Sequence, residues 1–499
     1  VVRLVSALAA GADIVAAEAA LEEELHLSAC MPFSPAQYAK DFAAADWAKV
    51  ERLAAAAVGV MAFAEHKAGD AAAYEGVGRL VLAQSDILIA IWDGEPARGR
   101  GGTTEIVAEA IARHIPVIQI NPEMPGEPVL LWSGLHHEIP DRPTLDGVER
   151  VPLHRALKPL IIALCAPPEG EELYFLKTFL GEDICRRRIS LAWPLLMLVS
   201  GARSWRQTTL NTPREASSAR AFEFRIAPFT DLGRSGACLK GALTKRFARA
   251  DTAANSAALQ FRSSFVTNFG LAAVAVLLAL SSLLAPQAKV WLITGELLVI
   301  GLIIYNTRRA KRCKFHERWI DYRHLAERLR LLALSSTLGR LSLRDVEDGT
   351  TRPCWETWYA RATAREFDAP CGHIDRVYLD KVRETALQLI EDQMAYHSMN
   401  AATMQHANER LHKVGDTLFA GTILFCLIFL ANKVMADGLI TIFGVGLTEI
   451  VTLVTAFFQR LQRHSTASGR RAILRPMLSG PIQFQGDSRS CNPRSVRTG

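Results

Sequence analysis

Between Arg262 and Lys289 the chain runs for 26 residues without a charged side chain. This interval restricts the fold more than any other feature. At about 1.5 Å per residue, a helix of that length exceeds the roughly 30 Å of hydrocarbon in a bilayer. Three further stretches are nearly as bare. Lys289 to Arg308 encloses one charge, Glu296, and Asp437 to Arg460 encloses one, Glu449. Asp416 to Lys433 encloses 16 uncharged residues, which reach spanning length if Lys433 snorkels and Val434 to Ala436 continue the helix. Four transmembrane helices are therefore expected, in two hairpins turned at "APQAK" and "NKVMADG".

Basic residues orient them. Lys245, Arg246, Arg249 and Arg262 precede the first stretch, and Arg308, Arg309, Lys311, Arg312 and Lys314 follow the second. Arg460, Arg463, Arg470 and Arg471 follow the fourth, whereas each hairpin tip carries one Lys. The positive-inside rule then places both hairpins on a cytoplasmic base. The hairpins also read as a repeat: each has a polar helical lead-in, a span without acid, and a span with one Glu. Glu296 lies 12 residues before Arg308 and Glu449 lies 11 before Arg460, so their depths match within one helical rise. An acid at mid-membrane faces a partner, a cavity or a pore. A protonated Glu bonded to a neighbouring helix and a water-facing acidic ring selecting cations are both open readings, and the matched depth favours the ring.

The first 121 residues have a different texture. "ILIAIW" and "IPVIQIN" are short continuous apolar runs, as strands of a parallel sheet buried on both faces would be. A helix over Glu105 to Arg113 lies between them. Ala12 to Glu24 reads as a helix, "LHLSACMPF" as a strand ended by Pro32, and Trp47 to Ala64 as a second helix. The alternation predicts a doubly wound, Rossmann-like α/β domain. The chain starts without Met and without a basic-then-apolar leader, which reads as a start inside a domain.

Two turns of this domain carry the candidate chemistry. Strand "ILIAIW" delivers Trp92, Asp93 and Gly94 to the carboxyl edge of the sheet, where open α/β folds bind ligands. Gly99, Gly101 and Gly102 let backbone amides approach an anion, and Thr103, Thr104 and Glu105 open the next helix, whose dipole favours a phosphate or carboxylate. Arg98 and Arg100 can add forked contacts. Asp93 suits a ribose hydroxyl, and Glu105 suits the positive end of the helix dipole. The second turn is small-residue "SALAAGAD", with Ser6, Gly11 and Asp13. One such turn is how any strand becomes a helix. Two on one sheet edge favour a nucleotide-like ligand.

Other chemistries find no foothold in the sequence. Nine cysteines are scattered without a C-x-x-C pair, so neither zinc nor a disulfide framework is expected, and "CGH" at Cys371 to His373 lacks a second ligand pair. The +6 formal charge is small for this length, so nucleic acid is not an expected partner. There is no G-x-x-x-x-G-K, no H-E-x-x-H and no Ser-His-Asp signature. "TRPCWETWYA" reads as packing or headgroup contact. "RRRISLAWPLLMLVSGARSW" has too few apolar residues around Pro194 for a span and reads as a core or interfacial segment.

These residues resemble known families. "SALAAGAD" followed by "DILIAIWDGEPARGRGGTTE" is similar to the SLOG superfamily, the Rossmann-like group that includes the DNA-processing A proteins and the LONELY GUY phosphoribohydrolases. The hairpins with "HERWIDYRHLAERLR" behind the second span are similar to SLATT, a two-transmembrane effector domain associated with SMODS and SLOG modules in bacteria. The resemblance covers about the first 120 residues and most of 240–471. Ser6, Gly11 and Asp13 match the family's first turn, and Asp93, Gly94, Gly101, Gly102, Thr103 and Glu105 match its second. The phosphoribohydrolases carry P-G-G-x-G-T-x-x-E, whereas here Glu105 stands two residues after Thr103 and no Pro precedes Gly101. That spacing argues against hydrolysis. The family's first strand and its glycine turn are expected to be missing.

The resemblance implies a bacterial conflict system in which the α/β part senses a nucleotide-derived signal and the membrane part breaches the inner membrane. The expected organisation is a sensing domain over 1–121, an irregular linker over 122–240, and a first hairpin with cytoplasmic helices over 241–334. A cytoplasmic helical connector over 335–400, a second hairpin over 401–475 and a disordered tail over 476–499 follow. Four helices make a poor pore alone, so a homo-oligomer in the inner membrane is expected. Its partners would be a signalling nucleotide and the lipid bilayer, with no cofactor. Two rivals stand beside this reading: a membrane-anchored nucleotide hydrolase or glycosidase using Asp93 and Glu105, and a secondary transporter using the acidic pair, although many transporters use inverted repeats.

Overall fold

The computed structural model describes residues 2–63, 70–95, 102–135, 143–182, 190–203, 214–284, 286–341, 354–368 and 370–435. The chain divides into two compact units. One comprises Val1–Ser190, Asn211–Arg262 and Ala310–Glu391, the other Leu191–Leu210, Ser263–Arg309 and Asp392–Gly499.

The first unit opens with β1 (Arg3–Ser6), α1 (Ala12–Glu22), β2 (His26–Met31), α2 (Pro35–Tyr38), α3 (Ala44–Ala56) and β3 (Gly59–Phe63). Then come α4 (Ala71–Gln84), β4 (Leu88–Ile91), α5 (Thr103–Ala112) and β5 (Val117–Asn121). Strands β1, β2 and β3 pair in parallel, Arg3 opposite His26 and Ser28 opposite Gly59. Leu27 to Met31 of β2 are buried without interruption, which is why the run is apolar rather than alternating. β4 and β5 are also parallel, Leu88 opposite Val117. The N-terminal region is therefore α/β with parallel strands. With β6 (Met124–Leu131), β7 (Arg150–Pro152) and β8 (Gly372–Ile374), the strands among the described residues form two four-stranded ladders, β1-β2-β3-β8 and β4-β5-β6-β7. Helix α4 buries Val77 and Leu80 with Met61 of β3, and Leu82 with Ala90 and Val117 of the second ladder.

Several expectations are corrected. The helix expected over Trp47 to Ala64 stops at Ala56, and the apolar run that follows is β3. Gly59 disfavours the helix, and pairing against β2 on one side and β8 on the other buries the run. Strand β1 leads into the turn "SALAAGAD" and ends on its Ser6. The stretch expected to be an irregular linker holds β6 (Met124–Leu131), β7 (Arg150–Pro152), α6 (Leu153–Cys165), α7 (Gly170–Gly181), α8 (Ala192–Val199), α9 (Glu215–Ile226) and α10 (Gly233–Cys238). Pro125 and Pro128 hid β6. In the ladder β7 pairs only with Val129 to Leu131, past both prolines, so the missing N–H groups fall outside that pairing.

A π-turn at Leu239–Leu243 leads into α11 (Thr244–Leu284), followed by α12 (Lys289–Arg312), α13 (Phe315–Thr337) and α14 (Trp355–Ala364). Then come β8 (Gly372–Ile374) and α15 (Arg376–Met435). The helical core of the first unit is aromatic. Phe179 lies 5.2 Å from both Tyr322 and Trp355, ring centre to ring centre, and Phe222 stacks on Phe247 at 4.4 Å. Residues 354–374 return to the α/β region. Arg365 grips Asp86 through two bonds of 2.8 and 3.2 Å, Arg3 pairs with Asp368 at 3.0 Å, and β8 extends the first ladder with Gly372 opposite Met61. The expected connector over 335–400 thus supplies a strand of the sheet.

The second unit contains α8 and the portions of α11, α12 and α15 assigned to it. Two helical stretches among the described residues, Gly233–Ala279 and Lys289–Thr337, are long and apolar enough to cross a membrane. Only 11% and 6% of their most apolar windows are buried, whereas a core helix of a soluble protein would be mostly covered. Val274, Leu277, Leu297, Leu298 and Ile304 face outward. From Lys289 to Arg308 the helix rises about 28 Å, close to the hydrocarbon thickness. The expected third span falls in the C-terminal part of α15, and the fourth, with Glu449, lies outside the described residues. The short segment around Pro194 is α8, whose Trp193 N–H donates to Ser263 Oγ at 3.2 Å.

Candidate functional site

The first turn, from β1 to α1, is built around a carboxylate. Ser6 Oγ donates to Asp13 Oδ2 at 3.1 Å and accepts the Leu8 N–H at 3.0 Å, while the Ala9 N–H reaches the same carboxylate oxygen at 3.4 Å. Leu8 is fully buried with a left-handed φ of 54°, and Gly11, the N-cap of α1, has φ 94°. Tyr38 OH donates to Ala7 O at 3.3 Å. The structure thus places Ser6, Gly11 and Asp13 in one turn. Their hydrogen bonds hold the strand-to-helix turn in shape.

The second turn follows β4. The Trp92 N–H donates to Ile120 O and so remains in register with β5. Its indole is buried, and Nε1 donates to Glu95 O at 3.0 Å. Asp93 Oδ1 accepts the Glu95 N–H at 3.0 Å, a local turn of the kind Asp favours. Gly94 supplies φ 92°, a conformation open to Gly at no steric cost. Thr104 Oγ1 donates to the same Glu95 carbonyl at 2.8 Å, so Trp92 and Thr104 close on one acceptor. Gln119 Nε2 reaches Trp92 O at 3.2 Å.

Helix α5 starts at Thr103 with Gly102 as N-cap and no side-chain cap, and Glu105 sits in its first turn. An uncapped helix start presents amides and a positive dipole end to an anion. Trp92, Asp93 and Gly94 at the end of β4 and Gly102, Thr103, Thr104 and Glu105 at the start of α5 lie at one strand-to-helix junction. Arg98, Arg100 and Gly101 lie outside the described residues. The two turns are separate local sets. Asp13 places an acid in the first turn of α1, which opposes a bound anion there. The α5 start has only Glu105, which lies one step further in.

In the second unit Glu296 is half-buried on α12. Its neighbour Gly295 faces α11, where an added Cβ would lie 3.5 Å from Leu278. Close to the basic end of the pair, Asn306 Nδ2 donates to Asn268 Oδ1 at 2.7 Å and to Ser264 O at 3.1 Å, and Asn268 Nδ2 donates to Thr307 Oγ1 at 3.1 Å.

One acidic cluster is assembled from residues far apart in sequence. Asp321 Oδ2 accepts the Trp355 indole N–H at 3.2 Å, and Glu172 Oε2 accepts the Trp355 backbone N–H at 2.8 Å. Glu356 is buried beside them. Burial pushes Asp321 up to about 6, with Glu172 and Glu317 adding to the effect. Burial pushes Glu356 up to about 7, and the nearby Asp321 charge raises it further. The Glu in "WETWY" between two buried positions was the only local trace, because its partners sit on α7 and α13.

Comparison with family models, with curated proteins and with solved structures gives no match.

Proposed function

We propose that this chain is a membrane effector, resembling SLOG and SLATT modules, that binds a nucleotide-derived ligand at the β4–α5 turn. Ligand binding then permeabilises the bacterial inner membrane. The observation that carries this reading is one of combination. A parallel α/β region with an uncapped helix start at a strand end lies on the same chain as two exposed apolar helices of spanning length. Such a strand end suits a phosphate. Exposed helices of this kind suit lipid rather than water.

The ligand acts by population shift. It displaces a closed-to-open equilibrium only as far as its affinities for the two states differ, and a full switch takes about a 10⁴-fold difference. The chain works as a homo-oligomer with the α/β region on the cytoplasmic side, Glu296 and Glu449 lining the conduction path. The broken spacing between Thr103 and Glu105 supports sensing over hydrolysis.

The test is release of an entrapped dye from liposomes carrying the purified chain, with cyclic nucleotides and ADP-ribose-derived nucleotides as the candidate ligands. Release that rises with one of them is expected, and equal release with and without every one of them would reject gating.

A further inference from the structure

A cavity lies where five parts of the first unit meet. Helix α4 contributes Gly76, Arg79, Leu80 and Ala83, one face at helical spacing. Arg113 comes from the end of α5, Leu338 and Arg340 from the turn after α13, and Ile374, Asp375 and Leu379 from the β8–α15 junction. Phe63, the last residue of β3, completes the wall. The cavity therefore sits at the carboxyl ends of the parallel strands β3 and β8, the edge at which open α/β sheets take their ligands. Its volume is about 450 Å³, within the range of small-molecule pockets.

The lining separates into an apolar wall and a basic rim. Phe63, Leu80, Ile374 and Leu379 make the wall. Gly76 admits the Phe63 ring, since a Cβ there would lie 3.2 Å from it. Three guanidinium groups, Arg79, Arg113 and Arg340, stand against one lining carboxylate, Asp375. Asp375 is turned to its own helix, its Oδ1 accepting the Tyr378 N–H at 2.7 Å. Glu109 holds two of the guanidiniums in place, Arg79 at 3.2 Å and Arg113 at 2.6 Å, and Glu75 holds Arg79 at 2.8 Å. Arg79 and Arg113 each have five N–H donors, so these pairings fix two of the forks and leave donors on them for a further acceptor.

The 338–341 turn closes the arrangement tightly. Gly339 has φ 69° and a Cβ there would meet Leu80 Cδ1 at 2.8 Å, while the Leu341 N–H donates to Ala83 O at 2.9 Å.

We infer that this cavity binds a small aromatic phosphate of nucleoside-monophosphate size, its ring against Phe63 and Leu80 and its phosphate on Arg113 and Arg340. An uncharged apolar ligand would leave the guanidiniums unused, a bare anion would leave the apolar wall wet, and a flat ring matches the Phe63 face. Because α4 and α5 come from the α/β region, and the 338–340 turn and β8–α15 junction from the helical part, the ligand fastens the two together within this unit. The inference stands on this cavity and not on the β4–α5 turn, so either can fail without the other.

The experiment is calorimetric titration of the full chain in detergent with AMP, adenosine and inorganic phosphate. AMP is expected to bind saturably, with adenosine and phosphate each at least tenfold weaker, since each supplies half of the recognition. Arg113→Gln and Arg340→Gln are each expected to weaken AMP at least tenfold, whereas Arg52→Gln, an exposed pair with Glu18, leaves it unchanged. As a check independent of these variants, AMP raises the melting temperature of the unaltered chain and adenosine at equal concentration raises it less. The inference is overturned if AMP shows no saturable binding, or if its affinity survives both Arg substitutions.

Discussion

Asn306 donates its side-chain amide to Asn268 Oδ1 at 2.7 Å, joining the outgoing and returning apolar helices close to Arg262 and Arg308, their basic ends. Where such helices lie in lipid, a pair of this kind acts as polar glue between them. Asn268→Leu and Asn306→Leu are each expected to destabilise the hairpin by about 0.6–2 kcal/mol. The double variant should lose less than the sum, because the two residues share one interaction. Unfolding of the chain in mixed detergent and SDS measures this, and additive losses would show that the bond contributes nothing.

Ser6 is expected to matter for stability before it matters for any ligand. Its hydroxyl satisfies the buried Leu8 N–H and braces Asp13. Ser6→Ala leaves that amide without its acceptor, a loss of about 1–3 kcal/mol. The thermal midpoint of the purified chain falls accordingly; an unchanged midpoint would mean that the turn is held by its backbone alone.

The buried acids predict the pH dependence of the helical core. Asp321 and Glu356 both have folded values above their ordinary 3.8 and 4.5, at about 6 and about 7. The folded state therefore holds protons that the unfolded chain has released. Their contribution to stability is complete below about pH 4 and is lost as the pH rises through 6 and then 7. For Glu356 the loss is about 3 kcal/mol at most. Denaturant midpoints measured across this range should fall with rising pH. Glu356→Gln should flatten the upper part of the curve, and a curve of unchanged slope would refute the assignment.

How much of this was written locally differs from part to part. The runs "ILIAIW" and "IPVIQI" are buried β4 and β5, and the helix expected at Glu105 to Arg113 is observed at Thr103–Ala112. These elements depend on neighbours in sequence. Strand β8 has three residues and no pattern of its own; it exists because Gly372 to Ile374 find β3 some 300 positions earlier. The Gly59–Phe63 strand is not separable in sequence from the helix before it, because an apolar run of that length has no period to decide between the two. The candidate site shows the same division. Trp92, Gly94 and Thr104 were legible because they lie within one strand-turn-helix unit, whereas the Arg79, Arg113 and Arg340 cavity and the Glu172, Asp321 and Glu356 cluster draw on elements far apart in the chain.

Glu296 and Glu449 carry the expectation of cation preference. Glu296→Gln with Glu449→Gln should lower the cation-to-anion permeability ratio of reconstituted protein without abolishing release, since an acid ring selects ions electrostatically. Unaltered selectivity would place these acids away from the conduction path.

If α11 and α12 lie within a bilayer, the chain expressed in bacterial cells stays in the membrane pellet through an alkaline carbonate wash and enters solution only with detergent. Recovery in the carbonate supernatant would contradict membrane integration, and the effector reading with it.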